Sequence, residues 1–137
     1  MSLRVEVVTP DRPVYRADAK MVIARGVVGE LGILPHHVPL VTELRIAPLR
    51  VIKEEGNDEL AVHGGFLEVD GERLIVLAET AEQPNEIDVA RAQEAYERAQ
   101  ETLRSPEADE AARAEAQRAL QRAEVRLRVA GAQHHSA

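Results

Sequence analysis

The sequence predicts an α+β chain whose two kinds of structure follow one another: short antiparallel strands first, then an antiparallel helical hairpin. Three observations carry this. Up to about residue 84, β-branched residues, glycines and prolines recur in short runs separated by turn signals, without a helical period, which reads as a sandwich or barrel. From Ile87 to Ala130 only Pro106 interrupts a stretch crowded with Ala, Glu, Gln and Arg. The change falls within Glu82–Ala92, where Pro84 disfavours a helical residue before it and Asn85 is a common helix cap.

The strands follow in order. Leu3, Val5 and Val7 alternate with Arg4 and Glu6, the period-two pattern of a half-buried strand. Thr9–Pro13 is a turn cluster leading into Val14 and Tyr15, and Ala19, Met21 and Ile23 alternate again. Gly26 to Gly32 reads as a bend or hairpin. Further runs cover 44–46, 49–52, 60–63, 66–69 and 73–77, with Asn57-Asp58 and the hairpin signal Asp70-Gly71 between them.

The period then becomes helical. Ala92, Tyr96, Ala99 and Leu103 share one face, as do Ala112, Ala116, Ala119, Ala123 and Leu127. Ser105-Pro106-Glu107 supplies a cap residue, a first-turn proline and an early acid for the second helix. So short a break makes the two helices antiparallel neighbours. Glu94/Arg98, Asp109/Arg113 and Glu124/Arg128 are acid-before-base pairs at i,i+4. An alanine seam packs closely but buries little area, so these helices have high propensity and a weak tertiary hold. The tail is expected to fray from about residue 131, and His134 and His135 are not expected to form a metal site.

Composition narrows the function classes. A formal net charge of −7 argues against a general nucleic-acid binder. The absence of cysteine excludes disulfides and thiolate chemistry. No apolar run approaches the ~18–20 residues that cross a membrane, and the N-terminus enters a strand pattern directly, so membrane association is expected only through a partner. With two Tyr, one Phe and no Trp, the core must be aliphatic.

No catalytic constellation is present. The phosphate-binding loop, the nucleophile elbow and the H-E-x-x-H helix are all missing, and Gly26, Gly29 and Gly32 are spaced for a turn. His36 and His37 are adjacent, so in a regular strand they would point to opposite faces. The distinctive feature is arginine: eight lie between Arg91 and Arg128, with no lysine. Arg118, Arg122 and Arg126 form an i,i+4 ladder, and in an antiparallel pair Arg91 and Arg98 come opposite Arg122 and Arg126. Guanidinium forks suit a phosphate chain, and they suit a solvated salt-bridge face equally well. Asp88 and Arg91, one turn apart, read on spacing alone as a helix cap and its surface partner.

Three segments resemble the epsilon subunit of bacterial F-type (rotary) ATP synthases: Val7–Tyr15, Gly29–Leu40 and Gly64–Val69. The resemblance runs the whole length and departs at His36, where the family usually carries glycine; a positive φ there would be less comfortable for histidine. It implies an N-terminal antiparallel β-sandwich of about ten strands over residues 1–84 that binds the stalk and ring. A regulatory antiparallel helical hairpin would occupy residues 85–137. It also implies a non-catalytic rotor subunit on the central stalk, coupling rotation of the c-ring to the catalytic head. The expected partners are the gamma subunit and the c-ring, with Glu30, Leu31 and His37 on that contact surface. The alpha and beta subunits of the head would be met when the hairpin extends and inhibits ATP hydrolysis. The location implied is peripheral, on the cytoplasmic face of the bacterial cell membrane.

Some bacterial members bind ATP, with or without magnesium, through a motif matched here by Ile87, Asp88, Arg91 and Ala92. Glu82, Arg98, Arg122 and Arg126 correspond to the rest of that site. ATP would then act as a regulatory ligand that favours the hairpin packed on the sandwich, by its differential affinity for the two states. The alternatives are a stand-alone ATP-sensing domain, or a structural stalk adaptor that binds no nucleotide.

Overall fold

The computed structural model describes residues 1–135, with side chains through Gly131. Eight strands form one continuous sheet: β1 (Leu3–Val8), β2 (Pro13–Ala19), β3 (Met21–Gly26), β4 (Gly29–Ile33), β5 (His37–Ile52), β6 (Asn57–Gly71), β7 (Arg73–Ala78) and β8 (Ala81–Glu82). Their spatial order is β2-β1-β7-β6-β5-β3-β4, and β8 continues along β6 beyond β7. All pairings are antiparallel except that of β1 with β7. The strands number eight rather than about ten because neighbouring runs merge. Residues 44–46 and 49–52 lie in the single 16-residue β5, and 60–63 and 66–69 in the 15-residue β6.

The sheet folds over as a sandwich, with β2 and β4 at its edges, because β5 and β6 each serve both layers. In β6 the core-facing residues are Leu60 and Val62 at one end but Leu67 and Val69 at the other, a change of parity. In β5 the same change separates Leu44 from Leu49 and Val51. Both changes fall at one level, since Leu44 pairs with Gly65. Strands that pass between layers do so at bends, and here Gly64 and Gly65 take φ of 80° and 121°. Leu3, Val5, Val7, Val22, Ile33 and Leu74, each at most 1% exposed, complete an aliphatic core.

His36, just before β5, has φ 65°, the one non-glycine residue with positive φ among those described. Its amide donates to the Gly71 carbonyl at 2.9 Å, which ties this conformation to the β6–β7 turn. The left-handed region costs an L-residue roughly 1–2 kcal/mol relative to glycine.

The Pro84–Glu86 turn leads to α1 (Val89–Arg104) and α2 (Glu110–His135), which lie against one another as a hairpin. Asp88 is the N-cap of α1, its Oδ1 accepting the Arg91 amide at 3.1 Å. The second helix starts later than Ser105-Pro106-Glu107 suggests: Ser105 ends α1, and Asp109 caps α2 by accepting the Ala112 amide at 2.8 Å. Arg113 is the reason the chain stays a turn in between. Its guanidinium donates to the carbonyls of Leu103, Ser105 and Ala108 at 2.9, 2.6 and 3.3 Å.

Ala92, Ala99, Ala116 and Ala123 are buried. Val125, Val129 and Ala130 are buried as well, and Val125 and Val129 pack against Ala61, with Ile46 and Ile87 at the margin. Thus α2 lies on β5 and β6, while α1 packs chiefly on α2. The backbone of α2 is described to His135; the expected fraying and the side chains of His134 and His135 otherwise lie outside the described residues.

Gly65 is the position least able to carry a side chain. A Cβ there would overlap the Leu77 carbonyl oxygen and sit 2.7 Å from Ala78 Cα, on a backbone with φ 121°. Gly65→Ala is expected to destabilise the chain by about 3 kcal/mol or more, read as a fall in the urea midpoint with little change in m-value.

Candidate functional site

On the half of β6 that carries Leu60 and Val62, alternation turns Ala61 and His63 to the opposite face, and α2 covers that face. Pairing of Ala61 with Glu82 places Glu82 there too. His63 is 4% exposed, and its Nε2 lies 2.9 Å from Glu82 Oε1. From α2, Arg126 Nε donates to both Glu82 oxygens at 2.9 and 3.0 Å. Burial alone would raise the Glu82 carboxyl, but hydrogen bonds from His63 and Arg126 outweigh it and hold the group below its ordinary range. A second link, 3.5 Å between Arg128 Nε and Glu59 Oε1, joins α2 to β6 nearby.

A recess of about 400 Å³ opens beside the Glu82–Arg126 link, lined by Glu82, Glu86, Asp88, Arg91, Ala92, Ala95 and Arg126. The seam that forms its floor is held locally. Gln83 and Glu86 make a capping box, Gln83 Nε2 donates to the Val14 carbonyl at 2.7 Å, and Arg12 pairs with Glu86 at 2.7 Å. Arg91 forms no salt bridge among the described residues, and Arg126 spends only its Nε on Glu82, so its Nη groups have no protein acceptor there. Arg126 also borders a larger groove of about 870 Å³ between α2 and the sheet, where Arg25, Arg45, Arg118 and Arg122 line the wall.

Two family patterns cover the chain. Residues 2–84 match "ATP synthase, Delta/Epsilon chain, beta-sandwich domain", and residues 85–131 match "ATP synthase, Delta/Epsilon chain, long alpha-helix domain". The chain belongs to the epsilon-chain family of F-type ATP synthases. An ATP synthase epsilon chain of Brevibacillus brevis is 58% identical over 103 residues, covering 74% of this chain and 77% of that one. Another, of Moorella thermoacetica, is 48% identical over 133 residues, covering 96% and 98%. Among solved structures, a chain of the Euglena gracilis mitochondrial ATP synthase, OSCP/F1/c-ring in rotational state 1, superposes with a TM-score of 0.79 at 26% identity, covering 94% of this chain and 81% of that one.

Of the residues that the epsilon-family motif designates, the fold brings Glu82, Asp88, Arg91, Ala92 and Arg126 around one recess. Ile87 packs at the edge of the apolar patch under α2. Arg122 faces the adjoining groove instead, and Arg98 lines neither space. Asp88 engages Arg91 through the backbone amide, as a helix cap. None of Glu94/Arg98, Asp109/Arg113 and Glu124/Arg128 forms a salt bridge among the described residues. Arg113 is drawn to backbone carbonyls, Arg128 to Glu59, and Asp109 to its cap.

Sequence reasoning missed His63, Glu86 and Ala95. The Gln83–Glu86 spacing of a capping box could have found Glu86. Nothing local points to His63, which reaches Glu82 only through the register of β6 with β8. Of the expected contact residues, Glu30 is exposed on β4 and 3.9 Å from Arg25, and His37 is partly buried at the start of β5. Leu31 packs against the sandwich core.

The lowered Glu82 carboxyl gives a pH dependence of defined sign. A group whose folded value lies below its unfolded one stabilises fully above the unfolded value, near 4.5, and ceases to as pH falls through the folded value. Docking of α2 should therefore weaken as pH drops below about 4.5. Glu82→Gln should show that loss already at neutral pH and flatten the dependence. Hydrogen exchange of α2 amides across this range is the measurement.

Proposed function

We propose that this chain is the non-catalytic central-stalk subunit that couples c-ring rotation to the catalytic head, and that its helical hairpin responds to ATP. The carrying observation is that Arg91 of α1 and Arg126 of α2 reach one recess from opposite helices, with hydrogen-bond donors left over on both. A polyphosphate asks for such paired forks. The adenosine end would lie toward Asp88 and Ala92. Among the described residues no group of three or more His, Asp or Glu side chains could hold a metal, so magnesium would be carried by the phosphates.

The energetics suit a switch. α2 meets the sheet through few apolar side chains, chiefly Val125 and Val129, each contributing about 1.5–3 kcal/mol. A ligand at 100 times its dissociation constant biases the docked state by about 2.7 kcal/mol, comparable with that hold. Without ligand, the hairpin would exchange its contacts for others in the alpha–beta head and block hydrolysis.

The edge strand β4 and the segments flanking it are the proposed seat on the rotor. Val28, before β4, and Leu34 and Val38, after it, are 82, 56 and 72% exposed, with Glu30 on β4 and His37 at the start of β5. Such apolar exposure at the two ends of an edge strand fits contact with gamma and the c-ring. Among the described residues no helix is long and apolar enough to cross a membrane, so attachment at the cytoplasmic face would be through these partners.

A second reading, a stalk adaptor without nucleotide, is favoured by the intramolecular pairing of Arg118, Arg122 and Arg126. Calorimetric titration of the chain with ATP separates the two. Arg91→Ala and Arg122→Ala should each cost roughly 1.5–3 kcal/mol of ATP affinity, with Lys restoring part, since an ammonium supplies charge without the planar fork. Unchanged titrations in both variants would remove these arginines from the site, and no ATP binding by the wild type would leave the adaptor reading. Glu30→Lys should weaken assembly with the rotor while the melting temperature of the chain alone stays put, because Glu30 is exposed and only loosely paired. A large fall in that temperature would give it a structural role instead.

A further inference from the structure

The three arginines of the α2 ladder are each held by a carboxylate, but in different ways. Glu82 takes Arg126 by Nε and leaves both Nη groups unused, so it positions the guanidinium without covering its end. Glu115 does the opposite. Its Oε1 accepts from Arg122 Nη2 at 2.9 Å, and its Oε2 accepts from Arg118 Nη2 and Nε at 3.0 and 3.3 Å. Nη2 is shared by both bidentate edges of a guanidinium, so a carboxylate there competes for the hydrogens that a phosphate would use. The side chain of Glu115 is 59% exposed, so no packing fixes it. The arginines themselves hold its carboxyl below the ordinary range, Arg122 foremost.

Position makes this competition consequential. Arg122 and Arg126 are one turn apart on α2 and line the same groove, and Arg126 also lines the recess. A phosphate chain that starts between Arg91 and Arg126 and continues along α2 arrives next at Arg122. We propose that Glu115 is an internal anion seated on this arginine, which the terminal phosphate of a bound nucleotide must displace. This rests on the nucleotide reading above and adds to it a residue that sets both affinity and phosphate-number preference. Removing the carboxylate frees Arg122 and also removes a negative charge beside the incoming phosphates, so both effects act in one direction. Because Glu115 is solvent-exposed, the change should leave the fold intact.

The test is calorimetric titration of the full chain with ATP, ADP and AMP at fixed ionic strength, for the wild type, Glu115→Gln, Arg122→Ala, the double variant and Arg91→Ala. The expected result is a three- to tenfold tighter ATP dissociation constant in Glu115→Gln, a smaller gain for ADP and none for AMP. The gain should vanish in the Arg122→Ala background, as a cycle between coupled residues requires. If the wild type binds ATP and Arg91→Ala weakens it, but Glu115→Gln changes nothing, the competition is refuted and the site stands. An equal gain for all three nucleotides, or one that survives Arg122→Ala, refutes it too, since a general field would then be acting. Absence of ATP binding in both wild type and Glu115→Gln overturns the site and this inference together. Melting temperatures without nucleotide, expected to coincide for wild type and Glu115→Gln, exclude a loss of folded protein as the cause of any difference.

Discussion

The docked hairpin depends on one half-buried carboxylate. Glu82 sits where the sheet ends and the helices begin, on a face that α2 covers, and a carboxylate in that position must find partners or protonate. It finds His63 from the neighbouring strand and Arg126 from α2, and this pair of hydrogen bonds sets the level at which the helix crosses β6. The apolar patch beneath α2 could slide or rotate over Ala61 at small cost, because Val125 and Val129 meet a face made of alanine and the edge of Ile46. The directed bonds to Glu82 cannot. Glu82 and Arg126 both line the recess between the helices and the seam, so this contact fixes one of its walls.

The same economy leaves the hairpin lightly attached. Within the hairpin, alanines let the helices approach closely, and Arg113 pins the turn by three backbone carbonyls. Between hairpin and sandwich there are few apolar contacts and two ionic links, Glu82–Arg126 and Glu59–Arg128. A unit that is well made internally and lightly attached is one whose docking a ligand can control. The ladder of arginines on α2 adds a second layer, since its guanidiniums repel one another unless an anion lies between them, whether a side chain or a phosphate.

Much of this was legible in the residues. The alternation in β1, the hairpin at Asp70-Gly71 and the alanine face of α1 and α2 follow from patterns only a few residues long, whereas in β3 the core takes Val22 and Ala24 rather than the expected phase of Met21 and Ile23. At His36 the residues left the loop path open, and the fold keeps a positive φ there despite the departure from glycine. Two local readings went astray for one reason. The start of α2 moved from Ser105 to Asp109, and the expected i,i+4 ion pairs gave way to other partners, because an arginine side chain reaches several acceptors and the nearest in sequence is only one of them.

What the sequence determined by itself was the order of the two kinds of structure, the place where one yields to the other, the cap at Asp88 and the wealth of arginine on the helices. These depend on backbone preferences and on spacing within one or two turns, which a linear pattern records. Which arginine meets which carboxylate was decided by the tertiary structure. Glu82 and Arg126 are 44 residues apart, and His63 joins them only because β8 continues the β6 ladder past the bend at Gly64 and Gly65. That bend exchanges the faces of β6, so it also decides that Ala61 and His63 look toward the helices while Leu60 and Val62 enter the core. A change of face in mid-strand arises from how two layers close over a shared core, and only the folded chain contains that information.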